Sequence, residues 1–163
     1  MKDVTVAIMM GSESDAPVMS EAAKLLKDFG VSCEMRVLSA HRTPKETVAY
    51  VEEKSKSGTK VFICGAGGSA ALAGVVSAHT FVPVIGVPLN SMGVDGGLDS
   101  ILSTVQMPPG VPVAAVALGK PGARNAALLA IRILALNDKD LFKKLQDYQK
   151  TQADKILKTK VDF

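Results

Sequence analysis

Five times along the chain a short apolar run gives way to a helix-like pattern, and nothing else in the sequence constrains the fold as strongly. The runs are VTVAIMM (4–10), VSCEMRVL (31–38), KVFICG (60–65), PVIGVPL (83–89) and VPVAAVAL (111–118). Three of them are almost continuously apolar, as parallel strands become when helices cover both faces of their sheet. Such alternation predicts a doubly wound α/β protein, a three-layer αβα sandwich with right-handed crossovers. For five strands it predicts a parallel sheet in the flavodoxin-like order 2-1-3-4-5.

The 163 residues suit one domain that buries a core without disulfides or a metal, so residues 1–163 are read as a single domain. Trp is absent and aromatics make up only 4% of a chain that is 47% apolar, so small residues and 14 glycines supply much of the interior. Helices and strands can then approach closely. A formal charge of +3 is compatible with an anionic small molecule and falls short of the clustered basic face of a nucleic-acid binder. The apolar run at the start is too short for a signal segment or a membrane span. The expectation is a cytoplasmic protein with no membrane and no nucleic-acid partner. Cys33 and Cys64 form no CxxC pair and lie in strand-like runs, which predicts buried free thiols and no metal site.

Helix starts are written in the loops. Ser12 or Ser14 can cap a first helix, Pro17 fits its first turn and Gly30 can end it. Thr43-Pro44-Lys45-Glu46 has the pattern of a capping box, with Pro44 at a position that lacks a hydrogen-bond acceptor anyway. That assignment leaves His41 and Arg42 in the short turn between the second strand and the second helix. Further on, residues 123–136 are apolar nearly all round, more than one buried face requires. Residues 138–163 follow the completed sheet as a C-terminal helical arm, amphipathic through Leu141, Phe142, Leu145, Tyr148 and Ile156. Together they predict a homo-oligomer in which this helix packs on a neighbouring subunit.

In an open α/β sheet, ligands bind beyond the carboxyl ends of the strands. That edge collects Gly11-Ser12-Glu13-Ser14-Asp15, Ser39-Ala40-His41-Arg42 and Gly65-Ala66-Gly67-Gly68-Ser69. Hydroxyls and helix-start amides suit a phosphate, and Asp15 suits ribose hydroxyls better than a phosphate. The third loop matches a dinucleotide fingerprint in spacing but follows the third strand, and no acid for a ribose stands about 20 residues on. Its glycines fit a close approach of backbone to a small planar ligand, or of the next helix to the sheet. A histidine titrates near neutrality and suits proton transfer, while Arg42 can grip an anion with a planar fork. No ligand set for a metal surrounds His41. His79 ends an apolar helix and reads as a helix-end residue.

MGSESD (10–15), SAHRTP (39–44), GAGG (65–68), PVIGVP (83–88), LDSILSTVQMPPGVPVA (98–114) and NAALLA (125–130) occur together in this order. In this set the chain resembles the class I N5-carboxyaminoimidazole ribonucleotide mutase family, the catalytic-subunit family of phosphoribosylaminoimidazole carboxylase, from about Val4 to about Tyr148. The resemblance implies a flavodoxin-like octamer with sites between subunits. It implies the conversion of N5-carboxyaminoimidazole ribonucleotide to the carbon-4 carboxylate in purine biosynthesis, by release and recapture of carbon dioxide and with no cofactor. It further implies His41 as general acid/base, Ser12, Ser14, Asp15, Ser39 and Arg42 on the ribonucleotide, and Gly67 and Gly68 beside the carbon dioxide. SAHRT with GAGG resembles the mutase rather than the direct carboxylase, which typically has SAHKT and an arginine in the third loop. Two departures stand out: Ala71 and Ala73 replace the family's usual His and Pro, and Asn90–Gly97 is glycine-rich, which predicts altered loop mobility. The alternatives are direct carboxylation of aminoimidazole ribonucleotide and a non-catalytic nucleotide-binding module of the same fold.

Overall fold

The computed structural model describes residues 4–90 and 95–161. Its sheet holds five parallel strands, β1 (Val6–Met10), β2 (Cys33–Val37), β3 (Val61–Gly67), β4 (Val84–Leu89) and β5 (Ala114–Ala115), in the order β2-β1-β3-β4-β5. This is the predicted flavodoxin-like arrangement. The helices are α1 (Ala16–Asp28), α2 (Pro44–Lys56), α3 (Leu72–Ala78), α4 (Leu98–Val105), α5 (Gly119–Ala135) and α6 (Lys139–Lys158). The three runs that are apolar throughout are the three inner strands, and β1 and β4 are buried at every position. Core clusters lie on both sheet faces. One joins Ile8, Ile63 and Ile85 to α1 and α5, the other joins Met9, Phe62 and Cys64 to α2 and α3.

Small residues perform the close packing that the composition foretold. Gly65 ends the buried part of β3 where a Cβ would enter the Met19 side chain of α1, and a Cβ on Gly86 would enter the Thr104 methyl of α4. Both contacts need a bare backbone, since a side chain would push its helix off the sheet. On α5, Gly122, Ala123, Ala126, Ala127 and Ala130 make the buried seam against the core.

Four local expectations need correction. The run 111–118 yields only the two-residue strand Ala114–Ala115, because Pro112 donates no backbone hydrogen bond and the chain joins the sheet only beyond it. Thr43 does precede α2, but it makes no side-chain cap. Its hydroxyl instead donates to the Ser39 carbonyl and accepts from the Ser39 amide, so no Thr43–Glu46 capping box forms. Cys33 is half-buried rather than buried, because β2 is an edge strand; Cys64 is fully inside, and burial raises both thiols above their ordinary range. Finally, α5 begins at Gly119, one turn before the predicted start at 123. Half of Asn90–Gly97, residues 91–94, lies outside the described residues, and the expectation of altered mobility there with it.

The beginning of α6 is anchored to its own chain. Asp138 caps it by accepting from the Leu141 amide, Lys144 donates to the Phe29 carbonyl, and the Tyr148 ring meets Phe29 at a 5.6 Å centroid separation. Further along, Ile156 and Leu157 are exposed, as are Leu136 and Phe142 nearer the α5–α6 junction. No described helix is long and apolar enough to cross a membrane.

Candidate active site

The carboxyl ends of β1, β2 and β3 open onto a cavity of about 610 Å³. All eight residues singled out from sequence line it: Ser12, Ser14, Asp15, Ser39, His41, Arg42, Gly67 and Gly68. The loops that carry them are far apart in sequence, and the parallel sheet brings them to one edge.

The loop after β1 is built on a reciprocal cap. The Ser12 hydroxyl accepts from the Ser14 amide at 3.4 Å and from the Ser14 hydroxyl at 2.9 Å, while the Asp15 carboxylate accepts from the Ser12 amide at 3.1 Å. The capping box sought at Thr43 therefore exists here, around the 3-10 turn Glu13–Asp15. It leaves Asp15 only 4% exposed, with its orientation set by backbone before any ligand arrives. Pro17 sits in the first turn of α1, as its fixed φ favours.

The loop after β2 is held from within. Around Ser39, the amide donates to the Thr43 hydroxyl, the carbonyl accepts from the Thr43 amide and from the Thr43 and Thr47 hydroxyls, and the Ser39 hydroxyl accepts from the Arg42 amide at 3.2 Å. This wound turn presents His41 and Arg42 to solvent and cavity. One nitrogen of the Arg42 guanidinium donates to the Gly11 carbonyl at 2.6 Å, tying the second loop to the first. An arginine carries more donors than that bond uses, so the cation still has hydrogen bonds to offer an anion.

The third loop divides the two roles proposed for its glycines. Gly65 serves packing, as described above, whereas Gly68 adopts φ +60° and a Cβ there would meet nothing within 4 Å. Gly67 and Gly68 thus form a side-chain-free stretch of wall, and Ala71 and Leu72 continue it. No imidazole can arise at position 71. His41 is the only histidine on the cavity, because His79 ends α3 and lines a separate cavity with Thr80 and Pro83. Among the described residues no cluster of His, Cys, Asp and Glu could hold a metal ion.

Sequence reasoning missed Asp99. It enters the same wall from the first turn of α4, the helix that follows β4. Read along the chain, an acid in LDSILS is an ordinary helix-start residue; the signal was its place after the strand adjoining β3.

Comparisons with known proteins identify the family. The family model described as AIR carboxylase matches residues 5–155. The chain is 50% identical over 157 residues to the N5-carboxyaminoimidazole ribonucleotide mutase of Saccharolobus solfataricus, covering 96% of this chain and 98% of that protein. It is 48% identical over 152 residues to the Escherichia coli K12 protein of the same name, covering 93% and 89%. Over 152 residues it is also 50% identical to the phosphoribosylaminoimidazole carboxylase of Saccharomyces cerevisiae, covering 93% of this chain but 26% of that longer protein. Among solved structures, Treponema denticola PurE superposes with a TM-score of 0.80 at 34% identity over 93% of each chain. Over nearly its whole length, then, in sequence as in fold, the chain belongs to the AIR carboxylase family.

Proposed function

We propose that the protein is an N5-carboxyaminoimidazole ribonucleotide mutase of purine biosynthesis and that the cavity over β1–β3 is its active site. The observation that carries this reading is the convergence of one imidazole, one guanidinium, a hydroxyl-rich capped loop and a side-chain-free glycine wall on one cavity, in a chain 50% identical to a protein of that name.

The chemistry follows from the substrate. Protonation of the exocyclic nitrogen that bears the carbamate releases carbon dioxide and leaves aminoimidazole ribonucleotide. Carbon 4 of that electron-rich ring attacks the trapped gas, and the proton it carries must then leave. One group that first donates and then accepts serves both halves, so the proton count closes and no net oxidation occurs. His41 is that group in this reading. Arg42, with Ser14 and Ser39, binds the phosphate; Ser12 and Asp15 hold the ribose; Gly67 and Gly68 leave space for carbon dioxide beside the ring. Proton transfer by a placed side chain is worth roughly 10²–10⁴-fold, and a water-poor pocket adds to it by retaining the gas and positioning the ring.

We further infer a cytoplasmic homo-octamer formed by a single catalytic domain whose C-terminal arm packs on a neighbouring subunit. The exposed Leu136, just beyond α5, and Phe142, Ile156 and Leu157 of α6 support the packing of the arm on another subunit. The reaction is tested by supplying the carbamate substrate without ATP and following formation of the carbon-4 carboxylate; no product would reject the mutase. Direct carboxylation is the second reading, favoured by the 50% identity to a protein named a carboxylase. Labelled bicarbonate separates the two: efficient incorporation of label during turnover would favour the carboxylase.

A further inference from the structure

Asp99 is a half-buried carboxylate on the wall of the cavity. Its Oδ1 accepts from the Ser100 amide at 2.8 Å, and among the described residues no Lys, Arg or His forms an ion pair with it. The backbone beneath it is firmly set. Gly97 enters α4 at φ +99°, a conformation that a side chain would strain. The buried Ser100 hydroxyl donates to the Gly97 carbonyl at 2.8 Å, and Thr104 packs on the bare backbone of Gly86. The carboxylate is therefore presented to the cavity by a helix locked to the sheet. A carboxylate only accepts hydrogen bonds, so a ligand that displaces water from this wall must bring a donor to it.

The strand order says which donor. Along the sheet edge the loops run β2, β1, β3 and then β4 with α4, so Arg42 stands at one end, Ser12 and Asp15 come next, then the glycine wall, and Asp99 is last. A ribonucleotide laid along this edge with its phosphate at Arg42 and its ribose at Asp15 brings its base to Asp99. An aminoimidazole presents one obvious donor there, the N–H of its exocyclic nitrogen.

We propose that Asp99 is a substrate-binding residue that accepts the exocyclic N–H of the aminoimidazole ring, an assignment that rests on the reaction proposed above. The carbamate nitrogen carries one hydrogen and the amine carries two, so the bond is available before and after carbon dioxide leaves. Donation to a carboxylate raises electron density on that nitrogen and, through the ring double bond, on carbon 4. Both protonation of the nitrogen and attack by carbon 4 become easier.

The test compares two ligands on the full-length protein by calorimetry: aminoimidazole ribonucleotide and the imidazole ribonucleotide that lacks the amino group. Asp99→Asn keeps an oxygen for the Ser100 amide and removes the charge. It is expected to weaken binding of the amino ligand by roughly 10–100-fold, the size of a hydrogen bond to a charged group, and to change binding of the other by less than about twofold. Equal losses on both ligands, or no loss on the amino ligand, overturn the proposal. Asp99→Ser repeats the comparison if the Asn variant fails to fold. Failure of the wild-type protein to convert the carbamate would reject the mutase, while the two-ligand comparison would still decide the place of Asp99.

Discussion

The carboxyl edge of the sheet and the outer face of α5 and α6 are opposite kinds of surface. The edge is polar, and its loops hold themselves in place with hydrogen bonds inside the chain: the Ser12–Asp15 cap, the knot around Ser39 and the Arg42–Gly11 link. On the outer face Leu136, Phe142, Ile156 and Leu157 stand exposed with nothing of their own chain to cover them. The first surface has its shape before any partner arrives, and the second buries its apolar area only against another molecule. The two surfaces thus depend on different contacts, and a substitution on one leaves the internal bonds of the other in place.

The sharpest break leaves the scaffold untouched. His41→Asn removes an exposed imidazole that makes no structural hydrogen bond among the described residues, so circular dichroism and size should stay as they are while conversion of the carbamate falls roughly 10²–10⁴-fold. Near-normal turnover would remove His41 from the mechanism. A second break works through the core that both surfaces share. A Cβ on Gly122 of α5 would enter the backbone carbonyl of Ala117, which cannot rotate away as a side chain could. Gly122→Ala is therefore expected to cost about 3 kcal/mol, at the upper end for overpacking, read from the urea midpoint at fixed protein concentration.

Leu157→Asp probes the outer face in isolation. Sedimentation velocity should show a smaller assembly, with the helical signal kept, because the residue is exposed within its own chain. An unchanged sedimentation coefficient would place assembly elsewhere. The smallest effect concerns a pair remote from both surfaces. Burial, followed by a 2.6 Å hydrogen bond to Glu34, holds the Tyr50 hydroxyl well above its ordinary value of 10.0. A phenol whose folded value is raised contributes stability that is complete below the unfolded value and declines as pH climbs from there towards the folded one. Denaturation midpoints of the wild type should therefore fall above about pH 10, and Tyr50→Phe should flatten that decline.

Much of this was legible in the chain, and the reasons differ by region. Unbroken apolar runs identified the inner strands because burial on both faces leaves no polar positions, and from there topology brought all eight site residues to one edge. Strand β5 was overread, since apolar composition cannot tell a paired edge strand from a proline-led segment that only touches the sheet. The capping box was sought at Thr43 and found at Ser12, because S/T-x-x-D/E patterns are common and only the surrounding backbone decides which one closes. Asp99 escaped notice for a similar reason. Its immediate neighbours describe a helix start, and its meaning lies in a strand order that spacing along the chain does not display.

The bond from Arg42 to the Gly11 carbonyl carries a consequence for how such a site can diverge. One side chain there supplies positive charge to the cavity and also fastens the two loops that frame it, so the pocket's charge and its outline cannot drift independently at position 42. A lysine would keep the charge but lacks the planar fork, so it would hold the neighbouring loop and the anion in a different geometry. A change at this corner therefore alters outline and charge together, and the glycine wall is no freer, since Gly68 has room for a side chain but holds φ +60°, a conformation that a side chain would strain.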